Sequence, residues 1–150
     1  MGFNVVDASS FNGGGVFKPG NHMADKALLI EPKRIDRDRP NTYQGVTKNR
    51  DEVTANITVF KTEESLSTGK PSEVLDGARV VHGMLTDYLD KVLAGGPDQA
   101  VVVILTKVPT KGGSGYAFRP ATPEVTKQVI AYGVQREADI AKAVADAPAF

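Results

Sequence analysis

Ten residues, Asp51–Phe60, alternate so cleanly that they constrain the rest of the chain. Val53, Ala55, Ile57 and Val59 fall on one face, and Thr54, Asn56, Thr58 and Phe60 on the other. Successive side chains of a strand point to opposite sides, so this pattern specifies a half-buried β-strand within a larger sheet. Other segments read the same way. ALLIEPKRID (27–36) is a strand with a bend at Pro32, and SEVLDGARVVHG (72–83) is a strand with a candidate bulge at Asp76-Gly77. QAVVVILTKV (99–108) is a continuous β-branched run, the mark of a buried strand, and YAFRPA (116–121) is a fifth strand.

Two stretches change period. In MLTDYLDKVLAGG (84–96), Leu85, Tyr88, Leu89, Val92 and Leu93 recur at helical spacing, and Gly95-Gly96 end the helix. From Thr122 the pattern is helical nearly to the end, with Thr122 as N-cap, Pro123 in the first helical position and Glu124 at the positive end of the dipole. The connections read as a long polar turn over 38–50, a loop over 61–72, and a loop or hairpin tip over 109–115. Three strands, a helix, two strands and a helix is the plan of a mainly β protein. It fits a five-stranded OB-type Greek-key barrel with a helix between strands 3 and 4 and a long C-terminal helix. The expected organisation is a flexible Gly/Asn-rich arm over 1–25, pinned by Phe11 and Phe17, a barrel over 26–121, and the C-terminal helix over 122–150.

Composition narrows the function. The 150 residues suit one domain, and the absence of cysteine excludes disulfides and thiolate-held metals. No apolar run is long enough to span a bilayer and no secretory signal is present, so the chain reads as cytoplasmic. His22 and His82 have no metal-ligand spacing, and no GxSxG, Walker or Rossmann fingerprint occurs, so neither a metal, a cofactor nor an enzyme is expected.

The net charge is zero, but it is segregated. Residues 33–50 hold six bases (Lys33, Arg34, Arg37, Arg39, Lys48, Arg50) against Asp36 and Asp38, and residues 99–123 hold Lys107, Lys111 and Arg119 with no acid. Together these segments carry a net +7, which the rest of the chain balances.

The stretch LLIEP (28–32), the turn with Thr42-Tyr43 and Gly45, and DEVTANITVF resemble the opening of a single-stranded-DNA-binding-like protein family of phages infecting actinobacteria. The likeness continues through the apolar strand at 101–105, Lys-Gly-Gly at 111–113 and Ala-Thr-Pro-Glu at 121–124, covering about residues 26–130. The chain departs from that pattern in having Tyr116-Ala117-Phe118 where the family has a tryptophan, and in an extra Gln44. The resemblance implies an OB fold and single-strand binding in phage replication or recombination.

Single-strand binders combine cations that track phosphates with flat rings on which bases stack, and OB folds place both between the loops joining strands 1–2 and 4–5. Those loops are the two basic segments, expected side by side at one rim of the barrel. Tyr43, Phe60 and Tyr116 are the candidate stacking rings among the cations. Each has a plainer reading. Arg37 and Arg39 alternate with Asp36 and Asp38 as a solvated ion-pair run does; Phe60 suits a site beneath the arm or the C-terminal helix; Tyr116 and Phe118 share a face, as core residues do. Non-catalytic single-stranded DNA binding by a homo-oligomer, with no membrane, is the expectation. A protein-interaction or virion assembly module is the first alternative, and a carboxylate-based nuclease the second.

Overall fold

A computed structural model describes residues 15–96 and 98–145, with the side chain of Tyr43 outside the description. Phe11 and the rest of 1–14 also lie outside the described residues. The chain forms β1 (Ala27–Tyr43), β2 (Val46–Phe60), α1 (Glu63–Thr68), β3 (Glu73–Val80), α2 (Gly83–Ala94), β4 (Val101–Thr110), β5 (Gly113–Pro120) and α3 (Pro123–Ala145). The strands make one antiparallel sheet in the order β3-β2-β1-β4-β5. The fourth strand returns beside the first, which is Greek-key order.

The sheet is open. No β3–β5 ladder closes a barrel among the described residues, and β3 instead takes the segment before β1 as a parallel neighbour at Val16–Arg79. Phe17 N–H donates to the Arg79 carbonyl at 2.7 Å, and Arg79 N–H to that of Gly15 at 3.1 Å. Phe17 is buried, stacked on His22, which is itself bonded through Nδ1 to Asp25 at 2.6 Å. The described part of the expected arm is therefore docked on the sheet.

Alternation sorts the apolar residues onto the two faces. Leu28 and Ile30, Val53, Ala55, Ile57 and Val59, Ala78 and Val80, Val103 and Leu105, and Phe118 cover one face against Leu85 and Leu89 of α2. The other face carries a smaller cluster, where Ala27, Leu29 and Phe60 meet Leu66 of α1 and Val129 of α3. Helix α2 contacts β1, β2 and β5, so the sheet bends around it.

Several connections differ from their expected form. The expected polar turn over 38–50 is mostly strand: β1 and β2 continue their ladder to Tyr43–Val46, and only Gln44 and Gly45 turn. Both take positive φ (51° and 76°), as a type I′ hairpin turn requires. The loop over 109–115 shrinks likewise to Lys111-Gly112. The loop over 61–72 contains α1, started by a reciprocal cap between Thr62 and Ser65 and ended at Gly69 with φ 67°. Register shifts appear after Pro32 and in the Gly77 region of β3, where a bend and a bulge were expected. At α3, Thr122 Oγ1 accepts from Val125 N–H at 3.3 Å, the expected cap.

Candidate nucleic-acid interface

Beyond Val53 the β1–β2 hairpin leaves the core as a two-stranded ribbon. β4 pairs with β1 only at Leu28–Ile30, and β3 pairs with β2 no farther than Val53, so among the described residues no strand flanks the ribbon's outer half. Strand alternation then places side chains in register. Arg39 lies directly opposite Arg50, Asn41 opposite Lys48, and Tyr43 opposite Val46. Arg39, Asn41, Val46, Lys48 and Arg50 belong to one face, because their positions step by two along each strand. Asn41, Val46, Lys48 and Arg50 line a shallow groove of about 230 Å³ there, with Gln44 at its end.

That face is cationic with no internal partner. Arg39, Lys48 and Arg50 are exposed, and none pairs with an acid among the described residues. Like charges directly across a ladder repel, so the Arg39–Arg50 pair is a local cost that an anion relieves.

The opposite face uses its arginine differently. Arg37 donates from Nη1 to Asp51 Oδ2 and from Nη2 to both carboxylate oxygens of Asp90 on α2, each at 3.1 Å. The hydrogen bond donated to Asp90 is the largest cause raising the guanidinium pKa further. Asp51 also accepts from the Asp38 N–H at 3.3 Å, where β1 slips register and Asp38 takes φ 53°. Arg37 thus clamps the ribbon's root to α2; of the alternating acid–base run, it and Asp36, which accepts from Arg34 Nε at 3.2 Å, are the ion-paired members.

The second basic segment meets the first at its base. Because β4 runs antiparallel to β1, the two hairpin tips leave opposite ends of their shared ladder. The approach of the β4–β5 hairpin toward the ribbon's root runs through His82. Tyr116 on β5 packs its ring edge-to-face with His82 at 5.5 Å, and the Lys107 ammonium sits 5.6 Å from the same ring's centroid. His82, the residue before α2, is held below its usual pKa first by burial and then by the charge of Arg50. Its Nδ1 is buried with no hydrogen-bond partner. Gly115 lies so close to the Met84 methyl that a Cβ there would collide, and the Tyr116 hydroxyl sits over Gly20. His82 is thus the junction: it packs on Tyr116, beside Lys107, and lies within the electrostatic reach of Arg50 at the ribbon's root.

The remaining candidates divide. Lys111 stands exposed at the β4–β5 turn and Arg119 exposed on edge strand β5. Lys33 is exposed but lines a groove with Glu31 and Glu137 beside α3, away from the ribbon's outer half. Tyr116 is half-buried among its protein neighbours. Phe60 is corrected outright: it is fully buried, edge-to-face with Tyr132 of α3 at 5.3 Å, and offers no ring to a base. Residue 60 belongs to the polar face by alternation, and that face is covered there by α1 and α3. Sequence reasoning weighed His82 only as a metal ligand and passed over Asn41; a histidine at a strand's end, just ahead of a helix, was the available signal for the first.

Among the described residues no three His, Asp or Glu side chains converge as a metal site, and no helix is long and apolar enough to cross a membrane. The chain matches no protein-family model, no curated protein and no solved structure.

Proposed function

We propose that the protein binds single-stranded DNA without catalysis, through the outer face of the β1–β2 ribbon and the junction at its root, on an OB-type barrel left open between β3 and β5. The observation that carries this reading is the register pairing of Arg39 with Arg50, flanked by Lys48, with no acid among the described residues to neutralise them. A strand of phosphates supplies the missing countercharge along the direction of the ribbon. Eight residues from Asp36 to Tyr43 reach about 26 Å at 3.3 Å per residue, enough to follow several nucleotides. The residue likeness to phage single-strand binders supports the same ligand and a role in phage DNA replication or recombination.

A fluorescence-anisotropy titration with labelled single-stranded and duplex DNA of equal length, at two salt concentrations, tests the proposal. Binding that favours the single strand and weakens steeply with salt is expected, since each neutralised phosphate releases counterions. No binding at low salt overturns it, and preference for duplex replaces it with insertion of the ribbon into a groove.

A further inference from the structure

Helix α3 presents two faces, and the sheet uses one. Val129 is buried, Tyr132 packs on Phe60, and Arg136 donates from Nη1 to Glu31 Oε1 of β1 at 2.9 Å. These residues, with Val125, recur at steps of four, three and four along the inner side. Nearly opposite runs a second series, Lys127, Ile130, Val134, Glu137, Ala141 and Val144, at steps of three, four, three, four and three. That 3.5-residue period is the seam of a two-helix coiled coil, and no element among the described residues covers it. Ile130 is 56% exposed, Val134 66% and Val144 71%.

We infer that the protein self-associates through this seam, with α3 packed antiparallel on α3 of a second copy. The charges on the seam select both occupant and direction. In an antiparallel pair with its two-fold axis level with residue 132, Lys127 faces Glu137 of the other copy and Ile130 faces Val134. The symmetry repeats both pairs, giving four successive layers. In a parallel pair Lys127 would face Lys127 and Glu137 would face Glu137, at a cost that excludes it. Lys127 has no acidic partner within its own chain among the described residues, and exposed Glu137 reaches only Arg136, at 3.9 Å. A charged residue in a seam position fixes register at some expense in stability. The contact spans about three turns of helix, so the dimer is weak, with a dissociation constant on the order of micromolar.

Sedimentation equilibrium of the full chain across the micromolar range tests this, with circular dichroism and thermal melting to confirm that each variant is folded. The wild-type chain is expected to dimerise. Glu137→Lys sets two lysine pairs face to face and should weaken dimerisation by roughly tenfold or more. The double variant Lys127→Glu with Glu137→Lys restores opposite charges and should recover it. A wild-type chain that stays monomeric throughout overturns the inference and leaves the seam to a different protein. Undiminished dimerisation of Glu137→Lys, or a double variant no better than the single one, overturns the antiparallel register. None of these residues lies on the β1–β2 ribbon, so the result is independent of nucleic-acid binding.

Discussion

The inner and outer halves of the β1–β2 hairpin are one ladder with opposite physical content. From Ala27–Phe60 to Ile35–Val53 the paired strands set apolar side chains into the core, with Leu28, Ile30, Val53, Ile57 and Val59 fully excluded from water. Farther out, Arg39, Lys48 and Arg50 of the same two strands are exposed, and alternation sets out cations in place of apolar groups. Burial holds the inner half. The outer half rests on its ladder hydrogen bonds, the type I′ turn at Gln44-Gly45 and the Arg37 clamp at its root. A ribbon so built can lose its outer side chains without losing the fold, whereas the inner half cannot.

The largest effect is expected from breaking the inner half. Phe60→Ala removes a buried ring that fixes α3 through Tyr132 and should cost about 3–5 kcal/mol of stability by chemical denaturation. Phe60→Leu, which refills most of the volume, should bind single-stranded DNA as the wild type does. Weakened binding by a folded Phe60→Leu variant would return that ring to the interface. The outer half is expected to answer in the reverse sense. Changing Arg39, Lys48 and Arg50 together to Ala should lower oligonucleotide affinity roughly ten- to a hundredfold at low salt and flatten the salt slope by about 2. The melting temperature should hold or rise slightly as the Arg39–Arg50 repulsion disappears. Full affinity in that triple variant would remove the ribbon from the proposal.

The inner half was legible in the sequence and the outer half was not, for a single reason. Alternation reports a strand only where one side is buried; Val53 through Val59 alternate against the core, while Asp38 through Arg50 are polar on both sides and leave no period to read. The I′ turn is carried by Gln-Gly, a weaker signal than Asn-Gly, so residues 38–50 resembled one long turn. Helix α1 was hidden by its length, six residues, and by a capping box closed with Ser65 where Glu or Gln usually stands. Among the site residues, charge counting found Arg39, Lys48 and Arg50. It could not separate them from Arg37, because the acid that matters most to Arg37 is Asp90, 53 residues away in the chain. Phe60 misled because alternation assigns a side of the sheet and says nothing of which helix lies over it.

The boundary between the halves is the next place to probe. Arg37→Ala frees Asp51 and Asp90 and unclamps the ribbon from α2, while leaving every outer cation in place. Both ion pairs are solvent-exposed, so a small fall in melting temperature is expected, with faster amide exchange confined to the ribbon's root. Oligonucleotide affinity should change less than in the triple variant. A loss as large as the triple's would mean that Arg37 leaves its carboxylates to meet phosphate.

The smallest effect is expected from His82, where the root of the ribbon meets the β4–β5 hairpin. Burial, then Arg50, keeps its imidazole neutral below the usual value of 6.5. The unfolded chain takes up the proton near that value while the folded chain resists it. This contribution to stability is therefore complete above about pH 6.5, and is lost as pH falls from there through the folded pKa. His82→Phe keeps an edge for Tyr116 and removes the titration, so it should lose roughly a degree or two less in melting temperature than the wild type between pH 7.5 and 5.5. Nucleic acid couples to the same proton. Phosphate neutralising Arg50 removes one of the two causes of the shift, so the bound protein holds the His82 proton more readily than the free one. By linkage, wild-type affinity should then gain slightly on that of His82→Phe as pH falls. Parallel affinities of the two proteins over that range would place bound phosphate away from Arg50 and confine the interface to the ribbon's tip.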